Sequence, residues 1–109
     1  MERCSKSRQA LELLEKSGKK YVMREYLKNP LDVHELQDLQ EKLGSIPAIE
    51  FTRTKEAEFI EQGLHKNSTD SEIFKKMQSF PKLMERPILI SDRKAIVGRP
   101  PEEILKLLK

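Results

Sequence analysis

A change of apolar rhythm in the last third of the chain constrains the fold more than any other feature. Before it, apolar residues recur mostly at three- and four-residue spacing, as on one face of a helix; then Pro87-Ile88-Leu89-Ile90 runs continuously, Ser91-Asp92-Arg93 reads as a turn, and Lys94-Ala95-Ile96-Val97 resumes the run. A compact apolar run of this length is the kind buried in a sheet, and the second run pairs with it as a hairpin. Gly98-Arg99-Pro100-Pro101 then delivers the chain into a last helix, with Ile104, Leu105 and Leu108 as its stripe and Pro101 near its first turn. The fold must therefore join helices to a small sheet.

The preceding segments follow from the same reasoning. Residues 5–16 carry Ala10, Leu11, Leu13 and Leu14 on one side and Glu12 and Glu15 on the other, with Gly18 as a C-terminal stop, which predicts a helix. Residues 20–26 have the aromatic and β-branched content of a strand. After Asn29-Pro30, Asp32 and Glu35 have the spacing of a capping box, opening a helix with Val33, Leu36, Leu39 and Leu43 on one face and Gly44 at its end. A helical turn is expected within 46–51, and a short helix over 54–62 with Ala57, Phe59 and Ile60 inward. Thr69 and Glu72 form a second capping box before a helix that buries Ile73, Phe74 and Met77, and Pro81 stops it. The order helix, strand, three helices, hairpin, helix defines an α/β or α+β domain, a single one over 1–109, with a helical insertion at about 31–80.

Composition narrows the function. A chain of 109 residues suits one modest core. No stretch approaches the roughly 20 apolar residues of a membrane span, and no signal-peptide apolar region follows the start, so a soluble cytoplasmic protein without membrane contact is expected. One cysteine excludes an internal disulfide, and with only His34 and His65 beside it no structural metal site is expected. Lys and Arg outnumber Asp and Glu eight to four in residues 1–29 and nine to four in 73–109, whereas 30–72 carry four against ten. Basic ends that meet in space would attract a small anion. Nucleic acid is the weaker reading of these charges, because no basic run is interleaved with aromatics and no zinc-finger or RNP pattern is present.

The lone cysteine sits in Arg3-Cys4-Ser5-Lys6-Ser7-Arg8-Gln9, just ahead of the first helix. The thiolate is the nucleophilic form of cysteine, and helix N-termini and nearby cations stabilise it. Arg8, four residues on, falls one turn away on the same face. Such a nest would also bind an oxyanion, since helix N-termini hold phosphate-like groups and arginine matches them with a two-pronged fork. The plainer reading is a solvated helix start whose charges serve solubility. Any redox chemistry at Cys4 needs a second thiol from elsewhere, because the chain has only this one.

Five patterns in order resemble the glutaredoxin-coupled arsenate reductases of the thioredoxin-like superfamily: Arg3-Cys4-Ser5-Lys6-Ser7-Arg8-Gln9, Tyr26-Leu27-Lys28-Asn29-Pro30 before a Glu-Leu helix, Phe51-Thr52-Arg53, Glu85-Arg86-Pro87-Ile88 and Gly98-Arg99-Pro100. The resemblance covers nearly the whole chain and implies a thioredoxin-like α/β fold. It implies Cys4 as catalytic nucleophile, Arg8 as the arginine of the same motif, Arg53, Arg86 and Arg99 around the oxyanion and thiol adduct, and Pro87 as the cis-proline before a central strand. It implies that Cys4 attacks arsenate or a similar oxyanion, that glutathione adds as co-substrate rather than bound cofactor, and that glutaredoxin removes it as arsenite leaves. Taken singly, each arginine also has a structural reading: Arg53 flanking a helix, Arg86 preceding a strand, Arg99 capping a neighbouring helix.

The sequence departs from that family at its start, where members have a strand and a short loop, some with a histidine; here Met1-Glu2 precede the Arg-Cys pair. The expectation is a sheet lacking its first strand, with a slot open beside the Ile88 strand or filled by another molecule. A shortened start, a strand swapped from another chain and a paralogue without activity are the three explanations. Two other functions stay open. Arsenate-reductase-like regulators bind partners such as RNA polymerase, but typically carry a Cys-x-x-Cys pair where this chain has Cys4 and Ser7. A thiol-transfer enzyme acting on another glutathione adduct would have less use for the arginines.

Overall fold

The computed structural model describes residues 5–18, 22, 24–91 and 93–108. In chain order its elements are α1 (Ser5–Ser17), α2 (Val33–Lys42), a 3-10 turn (Ala48–Phe51), α3 (Ala57–Glu61), α4 (Asp70–Ser79), a 3-10 turn (Pro81–Leu83), β1 (Ile88–Ile90), β2 (Ala95–Val97), a 3-10 turn (Pro101–Ile104) and α5 (Leu105–Leu108). They fall into two compact units, Arg24–Glu85 and the two end segments Met1–Met23 with Arg86–Lys109.

The unit Arg24–Glu85 is helical and closed by side-chain bonds to its backbone. Glu35 N–H donates to the Asp32 carboxylate at 2.8 Å and Asp32 N–H donates to the Glu35 carboxylate at 3.0 Å, so two of the orphan amides at the start of α2 are satisfied. Arg24 adds a clamp from outside the helix. Its Nη1 and Nη2 donate to Glu35 at 2.6 and 3.1 Å, while Nε reaches the Asn29 carbonyl at 2.9 Å and Nη2 the Pro30 carbonyl at 2.8 Å. These bonds from Arg24, then the one from the Asp32 amide, hold the Glu35 carboxyl below its usual range. At α4 the same device recurs: Glu72 N–H donates to Thr69 Oγ1 at 3.1 Å and Thr69 N–H to Glu72 Oε1 at 2.8 Å.

The core of this unit is made by α2, α4 and the turns between them. Leu36, Leu39, Phe51, Ile73, Phe74 and Met77 are all buried, and the rings of Phe51 and Phe74 lie with centroids 6.0 Å apart. Asp70 ties three elements together, accepting from Gln40 Nε2 at 2.7 Å and from the Ala48 amide at 3.0 Å. Pro81 has no N–H to continue α4, and the chain drops into the turn Pro81–Leu83.

Around α3 the sequence reading needs correction. Of Ala57, Phe59 and Ile60, only Phe59 is buried; Ala57 is exposed and Ile60 is 77% exposed. A helix of five residues makes little more than one turn, and α3 turns Phe59 to the core while Ile60, about 100° further round, is left in solvent. The strand expected over 20–26 is also not seen among its described residues: Val22, Arg24 and Glu25 are irregular and Tyr26 opens a turn. Lys20, Tyr21 and Met23 lie outside the described residues. The physical reason is at hand for two of them. Arg24 is bound to the carbonyls of Asn29 and Pro30, and the Tyr26 hydroxyl donates to the Met84 carbonyl at 3.3 Å.

In the unit of end segments, α1 buries Ala10, half-buries Leu11, Leu13 and Leu14, and lies against the turn Pro101–Ile104. It stops at Gly18, whose φ of +73° is left-handed and suits glycine. β1 and β2 are antiparallel, with Ile88 opposite Val97, Leu89 opposite Ile96 and Ile90 opposite Ala95. Ser91 N–H donates to the Lys94 carbonyl at 2.7 Å to close the hairpin. Among the described residues the sheet consists of these two strands. The expected last helix begins as a 3-10 turn before becoming α5, so Ile104 is buried and Leu105 is 38% exposed rather than part of an inward stripe. No helix among the described residues is long and apolar enough to cross a membrane.

Candidate active site

The hairpin register decides where two of the predicted arginines go. Continuing the pairing of Ile88 with Val97 back toward the open end sets Pro87 opposite Gly98 and Arg86 opposite Arg99. Gly98 N–H donates to the Pro87 carbonyl at 2.8 Å, and Arg99 Nε donates to the Arg86 carbonyl at 2.8 Å. The fit is close: a Cβ on Gly98 would meet Pro87 Cγ at 2.9 Å and Ile104 Cγ2 at 3.1 Å, so only glycine lets the two segments approach this far. The Arg86–Pro87 and Arg99–Pro100 peptide bonds are both cis. Arg86 and Arg99 are half-buried.

Arg8 is exposed on α1 in the same unit. α1 is 13 residues long and has no acidic residue in its first turn, so its N-terminal amides face no carboxylate from that turn. Cys4, which precedes it, lies outside the described residues.

Arg53 belongs to the other unit, where its backbone is fixed on both sides. Its N–H donates to the Leu83 carbonyl at 2.6 Å, and its own carbonyl accepts from Glu56 N–H at 3.1 Å. Next to it, Thr52 forms an antiparallel bridge with Met84, Glu85 N–H donates to the Phe51 carbonyl at 2.9 Å, and the buried Thr52 hydroxyl donates to Ala48 at 2.7 Å. Arg53 Nη2 is paired with Glu56 Oε2 at 3.3 Å, both side chains 24% exposed. Its Nη1 is buried with no hydrogen-bond partner among the described residues. Buried guanidinium nitrogens are ordinarily hydrogen-bonded, which sets this one apart.

Thus the structure brings Arg86, Pro87 and Arg99 together at the open end of one hairpin, sets Arg8 on a helix of the same unit, and holds Arg53 in a separate, rigid setting. Sequence reasoning missed Glu56 and the Arg24 clamp. The three-residue spacing in Arg53-Thr54-Lys55-Glu56 was a usable signal for the first; nothing in the spacing of Arg24 and Glu35 announced the second. Among the described residues no group of three His, Cys, Asp or Glu is placed to hold a metal ion. The chemistry these groups can offer is anion binding by arginine forks.

The solved arsenate reductase from Vibrio cholerae superposes with a TM-score of 0.90 at 37% identity, covering 97% of this chain and 91% of that one. The shared architecture is the thioredoxin-like α/β fold. In sequence, the chain is 42% identical over 107 residues to the uncharacterized protein YfgD of Escherichia coli, covering 97% of this chain and 90% of that protein. It is 41% identical over 107 residues to an arsenate reductase of Neisseria meningitidis serogroup A, covering 97% and 92%. The ArsC family model matches residues 1–107, and the chain belongs to the ArsC family.

Proposed function

We propose that this chain is a glutathione- and glutaredoxin-dependent arsenate reductase with Cys4 as its nucleophile. The observation that carries the reading is the opposition of Arg86 and Arg99 across the hairpin end, fixed by the bond from Arg99 Nε to the Arg86 carbonyl, in a chain similar to proteins named arsenate reductases. Two half-buried arginines set opposite one another favour a multiply charged oxyanion more than any neutral substrate. Arg53 and Arg8 are the further substrate-binding groups of this proposal.

The thiolate of Cys4 attacks arsenic(V); a sulfur–arsenic bond forms and an arsenic–oxygen bond breaks, the oxygen leaving as water after protonation. The arginines offset the charge on the remaining arsenate oxygens. The glutathione thiol then bonds to arsenic and displaces a second oxygen. A glutaredoxin thiolate takes the glutathione as a mixed disulfide, the two thiols supplying the two electrons that bring arsenic from the +5 to the +3 state, and arsenite is released from Cys4 by water. The lone cysteine fits this division of labour, since the chain holds no second thiol of its own. Glutathione is thus a co-substrate, no resident cofactor takes part, and a thiol-rich cytoplasm is the fitting compartment.

Arsenite release from arsenate, measured with glutathione and glutaredoxin, tests this. The wild-type chain should produce arsenite only when both are present, and Cys4→Ser should fall to the background rate. Equal rates for wild type and Cys4→Ser would refute the assignment of the nucleophile.

A further inference from the structure

We propose that Glu56 is a positioning residue for Arg53, holding one guanidinium nitrogen so that the other is preset as an oxyanion donor. The inference rests on the reading of Arg53 as a substrate-binding residue. It starts from an anomaly at α3: Glu56 occupies the N-cap position of that helix, yet its side chain makes no capping hydrogen bond. The carboxylate goes instead to Arg53 Nη2, at 3.3 Å. Glutamate here gives up the usual work of an N-cap, which is to accept from the first helical amides.

What the pairing does is visible in the rest of Arg53. The backbone is pinned at its N–H by Leu83 and at its carbonyl by Glu56, so residues 53–56 form one closed turn. Arginine loses much rotamer freedom when it binds an anion. With Cα fixed by the turn and Nη2 ion-paired with Glu56, that freedom is already restricted, and Nη1 is left buried and without an acceptor among the described residues. Preorganisation of this kind turns a flexible cation into an aimed donor.

The carboxylate also has an opposite effect, because its negative charge lowers the attraction of the pair for an anion. The two effects can be separated by substitution. Glu56→Gln keeps a side-chain oxygen beside Nη2 and removes the charge; Glu56→Ala removes both. Equilibrium binding of arsenate to the full chain, measured calorimetrically without glutathione, should therefore follow an order. Glu56→Gln should bind as tightly as wild type or more so, and Glu56→Ala about tenfold more weakly, the size expected for weakening one hydrogen bond to a charged group. The thermal midpoint of Glu56→Ala should fall only by the small amount expected for one lost ion pair, since no capping bond is lost. In an Arg53→Ala background, Glu56→Ala should have no further effect on affinity.

Wild-type or tighter binding by Glu56→Ala, with Arg53→Ala impaired, would overturn the positioning role while leaving Arg53 in place. Wild-type binding by Arg53→Ala would overturn both the reading of Arg53 and the inference built on it. Equal weakening by Glu56→Gln and Glu56→Ala would also overturn it, because the accepting oxygen would then be irrelevant.

Discussion

The unit Arg24–Glu85 buries Leu36, Phe51, Ile73, Phe74 and Leu83 to 2% exposure or less, and each of its two ten-residue helices starts in a complete capping box. In the unit formed by the end segments, Ala10, Pro101 and Ile104 are buried apolar side chains, and both strands have only three residues. The first unit is held by a core, the second by short hydrogen-bonded junctions such as Pro87 with Gly98 and Arg86 with Arg99. Three of the four proposed oxyanion-binding arginines lie in the second unit, and the fourth, Arg53, is fixed by backbone bonds to the first. On the proposed reading, three of the four arginines thus come from the less tightly packed unit, as is common for residues that bind ligands.

The largest effect should come from Phe51→Ala, which empties a fully buried ring site beside Phe74 and should cost about 3–5 kcal/mol in urea unfolding. A cost comparable to that of a surface change would remove the contrast between the units. Gly98→Ala probes a tight place in the hairpin unit, where the new methyl carbon meets Pro87 and Ile104; a loss of about 1–3 kcal/mol is expected from overpacking, with a fall in arsenate affinity as Arg99 shifts. Thr69→Ala should cost about 1 kcal/mol by removing the cap of α4, measured the same way.

The smallest effect is the pH dependence of the Arg24 clamp. Glu35 has its folded pKa depressed, chiefly by Arg24, so its contribution is present above the unfolded carboxylate range and is lost as pH falls through the lowered folded value. Unfolding midpoints followed from neutral to acid pH should fall less steeply in Arg24→Ala than in wild type. Both side chains are more than one-third exposed, so the difference should be small and should shrink with added salt. An unchanged acid slope would show that the clamp does not couple to stability.

Much of the fold was legible because local signals agreed with the final packing. Asp32 with Glu35 and Thr69 with Glu72 start helices as their spacing requires, and the runs from Ile88 and Ala95 pair as a hairpin. At Arg24 and Tyr26 the strand reading fails, because aromatic and β-branched content does not reveal that these side chains bond to carbonyls of Asn29, Pro30 and Met84. Ile60 misled because α3 is too short to bury a full stripe. At the site, Arg86 and Arg99 were each readable from their motifs, while their opposition across the hairpin needed the register. The role of Asp70 as a junction between α2 and the turn Ala48–Phe51 was not readable at all, since its partners lie 22 and 30 residues away.

The central claim is that the arginines at the hairpin end stabilise a reacting oxyanion, and Arg99→Ala tests it most directly. Its kcat/KM for arsenate, with glutathione and glutaredoxin saturating, should fall by roughly 10²–10³, the loss typical of removing one donor to a developing oxyanion. A value within a factor of two of wild type, in a variant that remains folded, would contradict the account.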